Sequence, residues 1–237
     1  LLDDIIPFLE EIKKCRFITL DGAYAHFANI EDTTDFSHAK KQLDTYHAAI
    51  KIIKENDFPQ IHTHIAATSG ILAYEKKHHT HTIVRLGIGL YGLWPSPALS
   101  QPGKITPVLR WVTHIAQVKT LPIGHPIGYG LTYITKKPTK IAIIPQGYSD
   151  GYDRGLSNKG EVLIRATRCP VLGRVAMNMF VADVSHLNDA EQEDEVVLLG
   201  TQGKEEITAE EMAAKIDTIN YEVTTRISPL LKRKVLE

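Results

Sequence analysis

Two tyrosines, two glycines and several charged or hydroxyl residues are concentrated in segment 146–154, which reads Gln-Gly-Tyr-Ser-Asp-Gly-Tyr-Asp-Arg. The segment follows an apolar run at 141–144 that is typical of a strand, so we expect a shaped loop at a strand end. A phenol has an ordinary pKa of about 10, and it transfers protons at neutral pH only where its neighbours favour the phenolate. Either Tyr148 is a proton donor or acceptor, or the segment is a turn with exposed tyrosines.

Glycines at Gly-x-Gly-x-x-Gly spacing occupy residues 87–92, directly after a predicted strand. In a dinucleotide-binding fold this motif begins a helix, and an acidic residue follows about 20 positions later. Here the chain continues into Leu-Trp-Pro, and we therefore reject dinucleotide binding. A glycine-rich turn after a strand can still direct backbone N–H groups at one phosphate.

The chain contains 11 histidines, which raises the question of a metal site. His62 and His64 alternate along a predicted strand and so share one face, where packing or support of other groups is the simpler interpretation. His78, His79 and His81 lie in a polar segment with neighbouring lysines, which is typical of a solvated connection. Neither a His-Glu-x-x-His nor a Cys-x-x-Cys pattern occurs, and we expect no bound metal.

Two regions of different character must position these residues. In residues 1–95, helix and strand patterns alternate, which predicts βα units and a parallel sheet. The predicted elements are helices at 2–14, 37–56 and 69–77, and strands at 17–20, 60–64 and 82–86. Two prolines and a polar run up to residue 104 predict a linker between the two regions.

Residues 105–237 contain short strand patterns between turns, which predicts an antiparallel β domain, either a barrel or a sandwich. The predicted strands are 111–121, 141–145, 161–166, 170–175, 180–184 and 195–199. One helix interrupts them, and Thr208 with Glu211 forms its capping box. The fold class is therefore α/β followed by all-β.

The composition excludes several classes of protein. With 27 basic and 28 acidic residues among 237, the formal net charge is −1, which gives no electrostatic case for nucleic-acid or membrane partners. No apolar run approaches the roughly 18 residues of a membrane span. The only two cysteines are far apart, which fits a reducing cytoplasm better than a disulfide framework.

Six motifs, taken together and in order, closely resemble bacterial alanine racemase. They read Ala-His-Phe-Ala at 25–28, Val-Arg-Leu-Gly-Ile-Gly-Leu-Tyr-Gly at 84–92, Gly-Tyr-Gly-Leu-Thr-Tyr at 128–133, Gly-Tyr-Ser-Asp-Gly-Tyr at 147–152, Gly-Arg-Val-Ala-Met at 173–177 and Thr-Ile-Asn-Tyr-Glu-Val at 218–223.

The resemblance implies a pyridoxal 5'-phosphate enzyme with a (β/α)₈ TIM-type barrel followed by a β domain. Residues 1–95 would be the C-terminal part of that barrel and would bind the cofactor, and 105–237 would be the β domain with the catalytic tyrosine. The resemblance also implies a homodimer whose active sites are shared between subunits.

Single residues take their expected roles from the matching positions. Tyr148 would be catalytic, and the backbone N–H of Met177 would meet the substrate carboxylate. His26 would pack against the cofactor ring, and Arg85 would donate a hydrogen bond to the pyridine nitrogen. The resemblance implies four further cofactor contacts, mostly at the phosphate: Thr68, Gly87, Ile88 and Tyr221.

Three departures from the family pattern bear on function. Ala67 and Thr68 stand where the family usually has Asn and Ser, and Asn178 stands where it usually has Asp after the methionine. The family's Lys-x-Asn-Ala-Tyr-Gly motif, whose lysine forms the internal aldimine, does not occur in these 237 residues. The chain also starts inside a predicted helix, so we expect it to be the C-terminal part of a longer racemase.

The expected function is interconversion of L- and D-alanine, an isomerase activity that supplies D-alanine for peptidoglycan in the cytoplasm. A serine or broad-spectrum amino-acid racemase is the near alternative. A non-catalytic module that binds the cofactor or a partner chain is the alternative from another class.

Overall fold

The computed structural model describes residues 1–74, 81–101 and 104–236, which form two compact units, Leu1–Thr106 and Pro107–Glu237. Unit 1 contains the predicted alternation of helices and strands. Its elements are α1 (Ile5–Lys14), β1 (Gly22–Tyr24), α2 (Ser37–Glu55), β2 (His62–His64) and α3 (Thr68–Ala73). Short 3₁₀ turns occur at Leu2–Asp4, Ile88–Tyr91 and Pro97–Leu99.

The core of unit 1 lies between α2 and the parallel pair β1–β2. The apolar spacing of α2 follows the helical repeat, and Leu43, Tyr46 and Ile53 are buried as the pattern predicts. The Tyr46 hydroxyl donates to the carbonyl of Ala23 in β1 at 2.7 Å, which ties the helix to the strand. The buried Leu9 of α1 packs in a cluster with Ile53, so the first two helices share one apolar contact.

Two strand predictions in unit 1 are wrong. The strand expected at 17–20 forms instead at Gly22–Tyr24, and Phe17 is 91% exposed. Gly22 pairs with His62, and a methyl group at Gly22 would lie 2.7 Å from the His62 carbonyl oxygen. The close approach of the two backbones, rather than the apolar run, therefore places the strand.

The strand expected at 82–86 is reduced to a single parallel bridge between Ala67 and Arg85. The N–H of Arg85 donates to the carbonyl of Ala66 at 3.0 Å, and no further ladder follows in residues 81–101. The predicted helix at 69–77 begins at Thr68, and its expected end lies outside the described residues.

Unit 2 is an antiparallel β domain, as predicted. Its strands are β3 (Trp111–His114), β4 (Gln117–Leu121), β5 (Pro126–Ile127), β6 (Tyr133–Ile134), β7 (Thr139–Ile144), β8 (Glu161–Ile164), β9 (Thr167–Leu172), β10 (Phe180–Asp183), β11 (Glu195–Gln202) and β12 (Glu205–Ile207). Seven of them are hydrogen-bonded in the order β12-β11-β8-β9-β10-β7-β4, β3 pairs with β11, and β5 pairs with β6.

Unit 2 departs from its prediction in several places. The predicted strand 111–121 is divided into β3 and β4, because the chain leaves β11 after His114 and joins β7 at Gln117. Strands β5, β6 and β12 were not predicted. The single helix is two short helices, α4 (Ala209–Lys215) and α5 (Asn220–Thr225), and the side chain of Thr208 caps α4 by accepting from the Glu211 N–H at 3.0 Å.

An ion-pair cluster holds α4 against the sheet. The Arg168 guanidinium of β9 donates to Glu161 of β8 at 3.1 Å, to Glu205 of β12 at 3.0 Å and to Glu211 of α4 at 2.7 Å. The same contact lowers the pKa of the Glu211 carboxyl. Because the cluster joins four elements that are distant in sequence, it fixes where α4 meets the sheet.

An aromatic stack lies in the core of unit 2. The rings of Tyr152 and Phe180 are parallel within 14°, with centroids 4.4 Å apart, and Trp111 meets Tyr152 edge-on at 6.2 Å. Tyr152 is fully buried, and burial raises the pKa of its phenol. The second tyrosine of segment 146–154 is therefore a core residue that anchors the loop. No helix in the described part of the chain is long and apolar enough to cross a membrane.

Replacing Phe180 by Ala should destabilise unit 2 by about 3–5 kcal/mol, because it removes a buried ring from a close-packed stack. Urea unfolding followed by Trp111 fluorescence, with Trp94→Phe in every protein, measures the change. Ile123→Ala is the control, because that side chain is exposed and should change the free energy of unfolding by less than about 0.5 kcal/mol. Equal losses from both substitutions would contradict the assigned core.

Candidate functional site

The guanidinium of Arg85 is the centre of a hydrogen-bond network in unit 1. Its NH2 nitrogen donates to the carbonyls of Ala25 at 2.9 Å and Ile65 at 3.0 Å, and contacts Nδ1 of His26 at 2.9 Å. Its NH1 nitrogen contacts Nδ1 of His64. These partners lie at the carboxyl ends of β1 and β2 or directly after them. One side chain therefore bonds the carboxyl ends of both strands.

The network fixes the tautomers of both histidines. Arginine can only donate hydrogen bonds, so Nδ1 of His26 and Nδ1 of His64 must accept. Each ring is then neutral at Nδ1 and carries its proton on Nε2. Burial lowers the pKa of His64, and the charges of Arg85 and His62 lower it further. His64 therefore keeps its acceptor to lower pH than an ordinary histidine.

Tyr24 covers this network and was not predicted from the sequence. Its ring stacks on His64 with centroids 5.3 Å apart and 4° between the planes, and the Arg85 guanidinium carbon lies 5.6 Å from its centroid. Tyr24 ends β1, and His26 is two positions after it. Residues two apart in an extended segment share one face, so this spacing could have predicted that Tyr24 lies beside His26.

Helix α2 supports the His26 segment from the other side. The Gln42 amide nitrogen donates to the His26 carbonyl at 3.2 Å, and its oxygen accepts from the Ala28 N–H at 3.0 Å. One amide side chain thus satisfies both backbone groups that flank Phe27, whose ring is buried in the core of unit 1. The position of His26 is set by the core as well as by Arg85.

A second group of donors surrounds Thr68. Its Oγ1 accepts from the N–H of Gly87 at 2.9 Å and from that of Gly89 at 3.3 Å, and a methyl group at Gly89 would lie 2.7 Å from Thr68 Cγ2. The predicted phosphate contact at Gly87 is thus directed at the Thr68 hydroxyl in this structure. The hydroxyl hydrogen of Thr68 and the N–H of Ile88 have no acceptor within the described residues.

In unit 2, loop 146–152 is hydrogen-bonded along segment 175–179. The N–H of Tyr148 donates to the Ala176 carbonyl at 3.1 Å, and the N–H of Ser149 donates to the Met177 carbonyl at 3.0 Å. A methyl group at Gly147 would lie 2.3 Å from both of these carbonyl oxygens. Only glycine permits this approach, which brings the predicted residues Tyr148 and Met177 together.

The same contacts orient the N–H of Met177. In a trans peptide the N–H points opposite to the preceding C=O, and the C=O of Ala176 is directed at Tyr148. The Met177 N–H therefore points away from loop 146–152, and it has no acceptor among the residues that the structure describes. The Met177 residue is 53% exposed.

Tyr129, for which the sequence predicts no role, lies in a loop with a left-handed backbone on both sides of it, and only Leu131 among the left-handed residues carries strain. It lies between Gly128 with φ +74° and Gly130 with φ +71°, and Leu131 follows with φ +49°. A methyl group at Gly128 would lie 2.9 Å from the Arg174 nitrogen, so this loop also approaches segment 173–179. Tyr129 is 73% exposed and Tyr148 is 43% exposed, and neither phenol has a hydrogen-bond partner in the described part of unit 2.

The remaining predicted residues are Tyr221 and the histidines near residue 80. Tyr221 lies on α5 in unit 2, and its carbonyl accepts from the Thr225 hydroxyl at 2.8 Å. His78 and His79 lie outside the described residues. Among the residues that are described, no group of three or more histidine, cysteine, aspartate or glutamate side chains could hold a metal ion.

Comparison with known proteins gives consistent matches over both units. Residues 2–95 match the family model "Alanine racemase, N-terminal domain", and residues 108–235 match "Alanine racemase, C-terminal domain". Among curated proteins, the chain is 43% identical to an alanine racemase of Syntrophobacter fumaroxidans over 91% of this chain and 56% of that protein. It is 39% identical to one of Methylacidiphilum infernorum, over 96% of this chain and 56% of that protein.

Solved structures agree. Alanine racemase from Bacillus anthracis with bound L-Ala-P superposes with a TM-score of 0.89 at 34% identity, over 96% of this chain and 58% of that one. Alanine racemase from Bartonella henselae with covalently bound pyridoxal phosphate superposes with a TM-score of 0.77 at 28% identity, over 95% and 58%. The chain thus spans a little over half the length of these relatives.

Lowering the pH should destabilise unit 1 in the window below about 6.5, the ordinary histidine pKa. Burial and the Arg85 charge lower the pKa of His64, so the unfolded chain binds the proton more readily than the folded chain there. Nitrogen-15 NMR of the imidazoles should show protonated Nε2 and bare Nδ1 at both His26 and His64. Arg85→Gln should raise the pKa of His64, whereas Arg16→Gln, at an exposed arginine, should not. A protonated Nδ1 at either ring would contradict the network.

Proposed function

We propose, because the chain belongs to the alanine racemase family, that it interconverts L- and D-alanine with pyridoxal 5'-phosphate as cofactor. Two similar structures support this proposal, since the Bacillus anthracis racemase has bound L-Ala-P and the Bartonella henselae racemase has covalently bound pyridoxal phosphate. The chain spans only part of its relatives, so the activity of a whole racemase is extended to it here as a proposal.

The Arg85 network is the observation on which the cofactor proposal rests. Four of its contacts fix the guanidinium, and its Nε–H has no acceptor among the described residues. That donor suits the lone pair of a pyridine nitrogen. A guanidinium donates the hydrogen bond without giving up its proton, so the ring would remain a weaker electron sink.

The donors around Thr68 suit the phosphate of the same cofactor. The free hydroxyl hydrogen of Thr68 and the free N–H of Ile88 lie at the starts of two short helical turns, where backbone N–H groups are unsatisfied. We propose that these groups hold the phosphate, with Gly87 and Tyr221 as the further contacts that the resemblance implies. His26 would lie against the ring. The change from the family's Ser to Thr68 preserves the hydroxyl.

The reaction requires proton transfer on both faces of the amino-acid Cα. Pyridoxal phosphate, when bound, supplies the electron sink that acidifies the Cα proton. The family's second proton-transferring group is a lysine in a motif that these 237 residues do not contain, and we propose that it belongs to the part of the relatives that the chain does not span. In unit 2, a tyrosine would serve one face and the Met177 N–H would bind the substrate carboxylate.

Two tyrosines of unit 2 are candidates for that proton transfer. Tyr148 is the one that the resemblance assigns, and its loop is fixed against Met177. Tyr129 is a second candidate, because the non-glycine residue Leu131 beside it has a left-handed backbone, and such strain is often found where a side chain must be held in a functional position. The greater backbone strain makes Tyr129 the stronger candidate for proton transfer, and Tyr148 then lines the substrate beside Met177.

The wider context of the activity follows from the family. We propose a homodimer with shared active sites, a cytoplasmic location, and a supply of D-alanine for peptidoglycan. A serine or broad-spectrum racemase is retained as an alternative, since Asn178 replaces the usual acid beside the substrate carboxylate. A non-catalytic cofactor- or partner-binding module is the alternative that applies if no lysine-bearing segment joins this chain.

A chimera that joins the first part of the Syntrophobacter fumaroxidans relative to these 237 residues should racemise alanine. In it, Tyr129→Phe should lower kcat by about 10²–10⁴-fold, the usual contribution of a general acid–base group, and make deuterium incorporation from solvent unequal in the two directions. Tyr148→Phe should act mainly on KM.

The two phenylalanine variants are matched controls for each other. The reverse order of effects would assign proton transfer to Tyr148, as the resemblance does. Near wild-type rates from both variants would exclude both tyrosines. A chimera that binds pyridoxal phosphate but does not racemise alanine would contradict the proposed function.

A further inference from the structure

A three-member hydrogen-bond chain joins the two loops beside Met177. The Asn178 amide nitrogen donates to Ser149 Oγ at 3.2 Å, and Ser149 Oγ donates to the Met177 carbonyl at 2.8 Å. The backbone N–H of Ser149 donates to the same carbonyl at 3.0 Å. One serine thus supplies two of the donors at a single carbonyl oxygen.

The direction of this chain is set by the chemistry of its ends. The Asn178 amide nitrogen can only donate and the Met177 carbonyl can only accept, so the single hydroxyl proton of Ser149 must point at Met177. An ionised aspartate at 178 has no donor and would attract that proton. The chain would then reverse and release the carbonyl from the hydroxyl. Serine at 149 and asparagine at 178 are therefore a matched pair.

The chain immobilises the peptide groups on both sides of one Cα. The Ala176 carbonyl is held by the Tyr148 N–H, and the Met177 carbonyl is held by Ser149. Because the two peptide planes that meet at Met177 are both tied to loop 146–152, the φ and ψ angles of Met177 are fixed. Its free N–H then keeps one direction.

We propose that Ser149 and Asn178 are positioning residues that fix the direction of the Met177 N–H and so strengthen binding of the substrate carboxylate. This inference rests on the proposed function for the carboxylate contact, whereas the hydrogen-bond chain stands on the geometry alone. Asn178 acts in a second way, because a neutral amide avoids the repulsion that a carboxylate there would exert on the substrate.

The first test measures the mobility of the Met177 N–H in the 237-residue chain by ¹⁵N relaxation. Wild type should give an order parameter near the rigid value of about 0.85, and Ser149→Ala should lower it below the wild-type value, although the backbone N–H bonds of Tyr148 and Ser149 remain. Asn178→Asp should also lower it, and the double variant should fall no further, because both changes break one chain. Ser149→Thr, which keeps the hydroxyl, should restore rigidity.

Ser185→Ala is the matched control for these substitutions. Ser185 also bonds a backbone segment through its hydroxyl, accepting from the Lys140 N–H at 3.0 Å, but it does not contact segment 175–179. It should leave the order parameter of Met177 unchanged.

The second test measures alanine kinetics in the same chimera of these residues with the Syntrophobacter fumaroxidans relative. Ser149→Ala should raise KM for alanine about three- to tenfold with little change in kcat, since one neutral hydrogen bond is lost and the reacting groups are intact. Ser149→Thr should restore KM.

The outcomes separate this inference from the proposed function. An unchanged Met177 order parameter in both single variants would overturn the positioning role, whatever the chimera does. A lowered order parameter with an unchanged KM would show that Met177 does not bind the substrate, which overturns both the carboxylate contact and the inference built on it. A lower kcat with unchanged KM would also overturn the inference.

Discussion

The Arg85 guanidinium is the constraint on which the site in unit 1 depends. It is a positively charged group that donates hydrogen bonds to the carbonyls that follow β1 and β2. Because its N–H groups can only donate, Nδ1 of His26 and Nδ1 of His64 must be unprotonated acceptors. Strand ends, histidine tautomers and the remaining Nε–H donor are therefore consequences of one side chain.

Unit 2 reaches its geometry by a different means, the close approach of backbones. Gly147 admits two carbonyl oxygens at a distance that any Cβ would forbid, and the left-handed glycines around Tyr129 bring a second loop to segment 173–179. Exposed phenols and a free N–H are thereby held by the main chain, while the buried ring of Tyr152 anchors loop 146–152 in the core. The phenols of Tyr129 and Tyr148, which would contact a substrate, take no part in these backbone contacts.

The sequence predicted the parts of this molecule that depend on local periodicity. The apolar stripe of α2 and the N-cap at Thr208 are local patterns, and both are confirmed. The capping box is only half formed, because the Glu211 carboxylate binds Arg168 instead of the Thr208 N–H. The predicted strand at 17–20 was wrong because the position of a strand depends on which backbone segments can approach each other. Gly22 permits the close approach to His62, which is distant in sequence. The family resemblance predicted His26 and Arg85 as partners in function, and the structure brings them into contact. Tyr24 and the Ser149–Asn178 chain were missed, because their partners are distant in sequence or depend on hydrogen-bond direction.

The most direct test of this account is an NMR titration of the 237-residue chain with pyridoxal 5'-phosphate, with pyridoxal and inorganic phosphate as separate ligands. The account predicts that the Arg85 Nε–H resonance shifts with both ligands that contain the pyridine ring and not with phosphate. The Ile88 N–H resonance should shift with both ligands that contain phosphate and not with pyridoxal. Binding of pyridoxal 5'-phosphate that leaves the Arg85 Nε–H resonance unmoved would contradict the central claim that this guanidinium receives the cofactor ring.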